Sequence, residues 1–148
     1  MVRCSAITGD VFSRHEIENH DENSARLNAA GAGIPDGIPI IEPQIAREED
    51  LLRVHTCSHV NMIREFSSHG GQHFIDQNTY VNGETFEVAS YAAGAAIDAV
   101  HRSIDGEHSF ALVRPPGHHA EPDKAMGFCI FNNAAIAASV ALDRVDRI

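Results

Sequence analysis

Arg114-Pro115-Pro116-Gly117-His118-His119-Ala120-Glu121-Pro122-Asp123-Lys124-Ala125-Met126-Gly127-Phe128-Cys129-Ile130-Phe131-Asn132-Asn133 follows directly on the apolar run Phe110-Ala111-Leu112-Val113. The run reads as a short buried strand, and the two prolines and the glycine remove donors and fix the backbone so that it must stop. His118 and His119 therefore stand at the C-terminal end of a strand. In open parallel α/β sheets that edge is where ligands bind, because its loops vary while the sheet holds them rigid.

Helical patterns surround this strand. Asp21 to Ala30 reads as a short helix, capped by Asp21, Asn23 or Ser24 and ended by Gly31. Gly33 to Pro43 is too broken by proline and glycine for a helix, and becomes an extended connection with a brief edge strand at Ile38 to Ile41. Ile45 to Arg53 is expected to be helical with Glu48, Glu49 and Asp50 on its wet face. Thr56 or Ser58 starts another helix, running to about Ser67 with Val60, Ile63 and Phe66 buried. From Glu84 to Ile104, Phe86, Ala89, Ala93, Ile97, Val100 and Ile104 recur at spacings of three and four and trace one apolar face. Gly94 and its neighbouring alanines admit another backbone closely. Asn132 or Asn133 caps a last helix, Ala134 to Leu142, apolar on nearly every side and so needing cover all round.

Composition bounds the class. A chain of 148 residues with 43% hydrophobic content suits one domain with a real core. No apolar run approaches the roughly 20 residues that cross a bilayer, and Met1-Val2-Arg3-Cys4 opens no signal peptide, so a cytoplasmic location is expected. Cys4, Cys57 and Cys129 are widely separated and odd in number, which predicts reduced thiols. With 21 acidic against 11 basic residues the formal charge is -10, which disfavours a nucleic-acid surface. The acidity suits solubility, and it would also attract a cationic substrate.

Among ten histidines most have bland readings. His55 and His59 could share a helix face as metal ligands do, but His55 lies at a helix junction where an imidazole commonly ties down backbone, and nothing nearby completes a site. His69 and His73 flank Gly70-Gly71, which breaks their alignment. His15, His20, His101 and His108 read as surface or capping residues. The pair at 118 and 119 differs in kind: two adjacent cationic rings would repel, which favours keeping one neutral and able to accept a proton. Gly127 lets backbone approach a ligand, and the Phe128 ring can wall a narrow channel.

Arg114-Pro115-Pro116-Gly117-His118-His119-Ala120 with Gly127-Phe128-Cys129-Ile130-Phe131-Asn132-Asn133 resembles the signature of the histone deacetylase superfamily, particularly its bacterial members, which include acetoin-utilisation and acetylpolyamine amidohydrolase proteins. His20-Asp21-Glu22-Asn23-Ser24-Ala25-Arg26-Leu27 resembles the family's His-Pro-Glu-x-Pro-x-Arg-Leu opening, and Glu49 to Thr56 a second shared segment. The resemblance implies a partial three-layer α/β fold of the arginase/deacetylase type, a parallel sheet flanked by helices. It also implies a zinc-dependent amidohydrolase in which His118 and His119 act as general acid and base, Gly127 and Phe128 line the tunnel for an acylated lysine or polyamine, and Arg26 adjoins an internal cavity.

Two departures from the family pattern qualify this expectation. Asn78 stands where many members carry an acidic rim residue, and Asp76 is the carboxylate that could substitute for it. The family's zinc ligands, an Asp-x-His on the strand after the last helix and a later Asp, have no counterpart in these residues, nor does its oxyanion-stabilising tyrosine. The chain is thus expected to be a single truncated domain, the N-terminal portion of a deacetylase-like hydrolase. No zinc should be held by this chain alone, catalysis should be absent or negligible, and a homo-oligomer or a complementing chain is expected to cover its exposed faces. The alternatives are a non-catalytic, self-associating interaction module derived from the same fold, and a small histidine-rich metal binder.

Overall fold

A computed structural model describes residues 3–148. Its sheet has three parallel strands, β1 (Cys4–Ile7), β2 (Ile40–Ile41) and β5 (His108–Ala111), in the order β2-β1-β5. β1 pairs Cys4 with His108 and Ile7 with Ala111, and on its other side Ala6 with Ile40. A second, antiparallel pair joins β3 (Gln72–Phe74) to β4 (Tyr80–Asn82), with Phe74 opposite Tyr80. Helices α1 (Ser24–Gly31), α2 (Glu48–Leu51), α3 (Cys57–Ser68), α4 (Thr85–Ile104) and α5 (Asn133–Ala141) flank these strands. No helix among the described residues is long and apolar enough to cross a membrane.

Capping chemistry places the helices. The Asn23 side chain accepts the amide of Arg26, Thr56 that of His59, and Asn132 that of Ala135, each satisfying a donor that the first helical turn leaves free. α4 packs against β5 and α5, and its Ala89 and Ala93 join Leu51, Val60, Ile63, Ile130, Phe131 and Ile136 in the main core. At Gly94 a Cβ would stand 1.9 Å from the Gln44 carbonyl oxygen, so only glycine admits the crossing chain there.

Four expectations need correction. The helix expected over Ile45 to Arg53 shrinks to α2, because Arg47 keeps an extended backbone as its N-cap. Asp50, expected on the wet face, is buried: its Oδ2 accepts the Arg47 amide at 3.2 Å and its carboxylate also meets the Arg47 guanidinium. α5 is covered on one side only, through Ile136, Ala137, Val140 and Ala141, while Ala134 and Leu142 are exposed. His15 is not a surface residue; it is buried, stacked on Tyr80 with 4.3 Å between ring centroids, and its Nδ1 lies 2.8 Å from Thr85 Oγ1.

Candidate active site

Beyond Ala111 the chain enters the Arg114–Gly117 turn, and the guanidinium that opens this turn is buried. Arg114 donates from Nε and Nη2 to the two carboxylate oxygens of Glu22, at 2.9 and 2.8 Å, and from Nη1 to the Phe12 carbonyl at 2.9 Å and to Glu16 at 3.1 Å. Burial opposes its charge, but Glu22 outweighs that effect and raises its pKa. This ion pair joins the His20-Asp21-Glu22 segment to the His118-His119 segment, so two stretches 92 residues apart face one another across a cleft.

The cleft, of about 460 Å³, is lined by Asp21, Arg26, Asn78, Pro116, His118, His119, Gly127 and Phe128. His118, His119, Gly127, Phe128, Asn78 and Arg26, named from the sequence, all lie on it, whereas Asp76 does not. His118 and His119 are exposed to it, their ring centroids 4.3 Å apart and their planes at 50°. Arg26 also lines an adjoining space of about 120 Å³ with Glu22, Leu112 and Arg114.

The wall that His119 packs on is a left-handed turn. Gly127 has φ 58° and Phe128 φ 70°, the second an uncommon value for a residue with a side chain. A Cβ on Gly127 would stand 2.8 Å from His119 Cδ2, so the glycine is what lets the imidazole pack against the turn. Below it the Cys129 thiol is buried, 3.4 Å from both the His119 amide and the Gly127 carbonyl, and burial pushes its pKa up.

The rim loop is closed on itself. Asp76 Oδ1 accepts the amides of Asn78 and Thr79 at 2.9 and 2.7 Å, and Oδ2 accepts the Thr79 hydroxyl at 3.2 Å. Burial pushes the Asp76 carboxyl upward, yet these donors outweigh it and hold the group below its usual value. Asp76 is therefore occupied inside the loop and does not replace the missing rim acid. The carboxylate that does line the cleft is Asp21, on the other rim. His20, read from sequence as a surface or capping residue, instead ties the rims together. Its Nε2 donates to the Asn78 carbonyl at 2.9 Å, its Nδ1 accepts the Glu22 amide at 3.1 Å, and its ring meets Phe128 edge-on at 5.2 Å.

Two further imidazoles tie down backbone around the motif. His55 Nε2 accepts the Asn132 amide at 2.8 Å while Nδ1 reaches the Pro122 carbonyl, which is the backbone-tying role its position predicted. His59 Nε2 donates to the Ile130 carbonyl at 3.0 Å, leaving Nδ1 buried without a partner among the described residues. Burial, helped by the neighbouring His59, depresses His55 to about 4, and burial lowers His59 as well. Thr79 and His20 were invisible as site residues because their contacts cross the fold, although His20 does lie in a segment that sequence had marked.

Among the described residues no three His, Cys, Asp or Glu side chains converge so as to hold a metal ion. The donors among these described residues do not fit the family's catalytic zinc.

The chain is thus an α/β protein whose parallel sheet leads into a cleft carrying two adjacent imidazoles. Comparison with known proteins makes this specific: residues 16–148 match the histone deacetylase domain family, and the chain belongs to that family. It is 43% identical over 129 residues to a probable deacetylase of Methanothermobacter thermautotrophicus, covering 85% of this chain and 39% of that protein. It is 41% identical over 101 residues to the histone deacetylase-like amidohydrolase of Pseudomonas aeruginosa, covering 67% and 26%. The crystal structure of the HDA15 HD domain superposes with a TM-score of 0.87 at 33% identity, covering 97% of this chain and 44% of that one. The chain thus spans less than half the length of these relatives, which reach beyond bacteria.

Proposed function

We propose that this chain supplies the acid/base half of a deacylase site for an acetylated lysine or polyamine. The observation that carries the reading is the exposed His118–His119 pair lining one cleft together with Phe128. One imidazole would take the proton of an attacking water, and the pair would return a proton to the leaving amine nitrogen. Phe128 would flank the acyl chain, and Asp21 and Asn78 would meet the rest of the substrate at the rim. None of these groups stabilises the developing oxyanion, which in this family is the work of zinc and a tyrosine, so the chain alone is expected to bind without turning over.

The test uses N-acetylputrescine and an acetyl-lysine peptide. Ring resonances of His118, His119 and Phe128 are expected to shift on titration, with no amide hydrolysis above a zinc-only background. His118→Ala should abolish the shift at His119 and leave the fold intact. Titrations that leave those resonances unmoved would overturn the assignment of the cleft, and zinc-dependent hydrolysis lost in His118→Ala would show that side chains of this chain do ligate the metal.

A second reading, a self-associating module without catalysis, is favoured by Phe110, which is 60% exposed on β5 beside Cys4, Ile34 and Pro35. Light scattering across a dilution series decides it, since a monomer at every concentration removes its support.

A further inference from the structure

Phe128 is the cleft residue whose backbone costs most to hold, because a side chain at φ 70° persists only where its surroundings over-determine it. Its amide donates to Thr79 Oγ1 at 3.0 Å. Thr79 is completely buried, and its hydroxyl proton is directed to Asp76 Oδ2, which leaves the oxygen's lone pairs for the Phe128 amide. The same loop also fixes the aromatic end of Phe128, since the Asn78 carbonyl accepts from His20, whose ring lies edge-on to the Phe128 ring. Backbone and ring of Phe128 are thus both held from residues 76–80, directly through Thr79 and by way of His20 through Asn78.

We infer that Thr79 is a positioning residue: its hydroxyl, oriented by Asp76, sets the left-handed turn at Gly127–Phe128 and through it the seat of the His119 ring. The inference rests on the reading of Phe128 as the cleft wall. Because His119 packs on Gly127 with no room for a Cβ, a turn that relaxes displaces the imidazole together with the wall.

The experiment is amide hydrogen exchange and NMR on the 148-residue chain, comparing Thr79→Val, which keeps the shape and loses the hydroxyl, with Thr79→Ser, which keeps the hydroxyl. Thr79→Val should lower the protection of the Phe128 amide about tenfold relative to that of Val60 in α3, change the amide-to-α coupling of Phe128 and weaken its contact with the His20 ring. Thr79→Ser should restore all three. Should Thr79→Val fail to fold, Asp76→Ala, at a loop position, is expected to lower Phe128 protection in the same direction. An unchanged Phe128 amide, or a loss of protection shared equally with Val60, would overturn the proposal, because a merely structural threonine lowers every amide alike. Exchange is read without substrate, so this outcome is separate from failure of acetyl-amine binding.

Discussion

Arg114→Met is expected to cost about 3–5 kcal/mol of folding stability, the usual loss when one partner of a buried ion pair is removed. The methionine fills most of the space but leaves the Glu22 carboxylate, itself only 3% exposed, without its bidentate partner, and it strips a donor from the Phe12 carbonyl. For a chain of this size that corresponds to a fall in Tm of roughly 10 °C or more. Thermal and urea unfolding followed by circular dichroism give the value. Arg114→Lys should lie between, because one ammonium cannot reproduce the fork on both carboxylate oxygens. Arg114→Met with Glu22→Leu should recover part of the loss, since the uncompensated charge goes with its partner. A loss below about 1 kcal/mol in the single variant would show that Glu22 is solvated rather than locked.

Acid is expected to unfold this protein well above the carboxylate range. His15 is pushed down to about 3, by burial first and then by the nearby Arg114 charge; His55 is pushed to about 4, and His59 is lowered too. Each has a folded pKa below its unfolded value of about 6.5, so the unfolded chain takes up the protons first. Stability is therefore complete above about pH 6.5 and falls as pH drops toward 4, by on the order of 1 kcal/mol per pH unit for each imidazole. Geometry gives the same sign. A proton on His55 Nε2 would face the Asn132 amide, donor against donor, at 2.8 Å, and one on His59 Nδ1 would be a buried donor without an acceptor. Asp123, the one charge that favours His59 as a cation, is exposed and only partly offsets this. Urea midpoints at pH 7.5 and 5.5 check the slope, and His55→Gln, whose carbonyl can still accept the Asn132 amide, should flatten it. Equal midpoints at the two pH values would mean that these rings are not neutral in the fold.

The parts legible in sequence were those where adjacent residues carry the signal. α3, α4 and α5 fall within a residue or two of their periodic patterns, because Thr56 and Asn132 are caps and the apolar spacing of α4 runs unbroken for twenty residues. β1 was not foreseen: four residues, Cys4–Ile7, give too little pattern, and the strand's central place comes from pairing with segments far along the chain. The β3–β4 pair was missed because Gln72, His73 and Asn82 lack strand character, and tertiary context places them. The site divides in the same way. His118, His119, Gly127 and Phe128 lie within one motif and could be read off directly. The bond from Thr79 to Phe128 spans 49 residues, and the pair between Arg114 and Glu22 spans 92, so no local spacing announces either.

Cys129 offers a practical handle on this region. Cys4 and Cys57 are exposed, whereas Cys129 is sealed beneath His119 and Gly127 with its thiol disfavoured as thiolate. A maleimide or alkylating reagent should consume the first two thiols promptly and reach the third only when the layer above it lifts. Timed labelling followed by mass spectrometry would then clock the breathing of the histidine-bearing segment in unmodified protein, with no engineered probe.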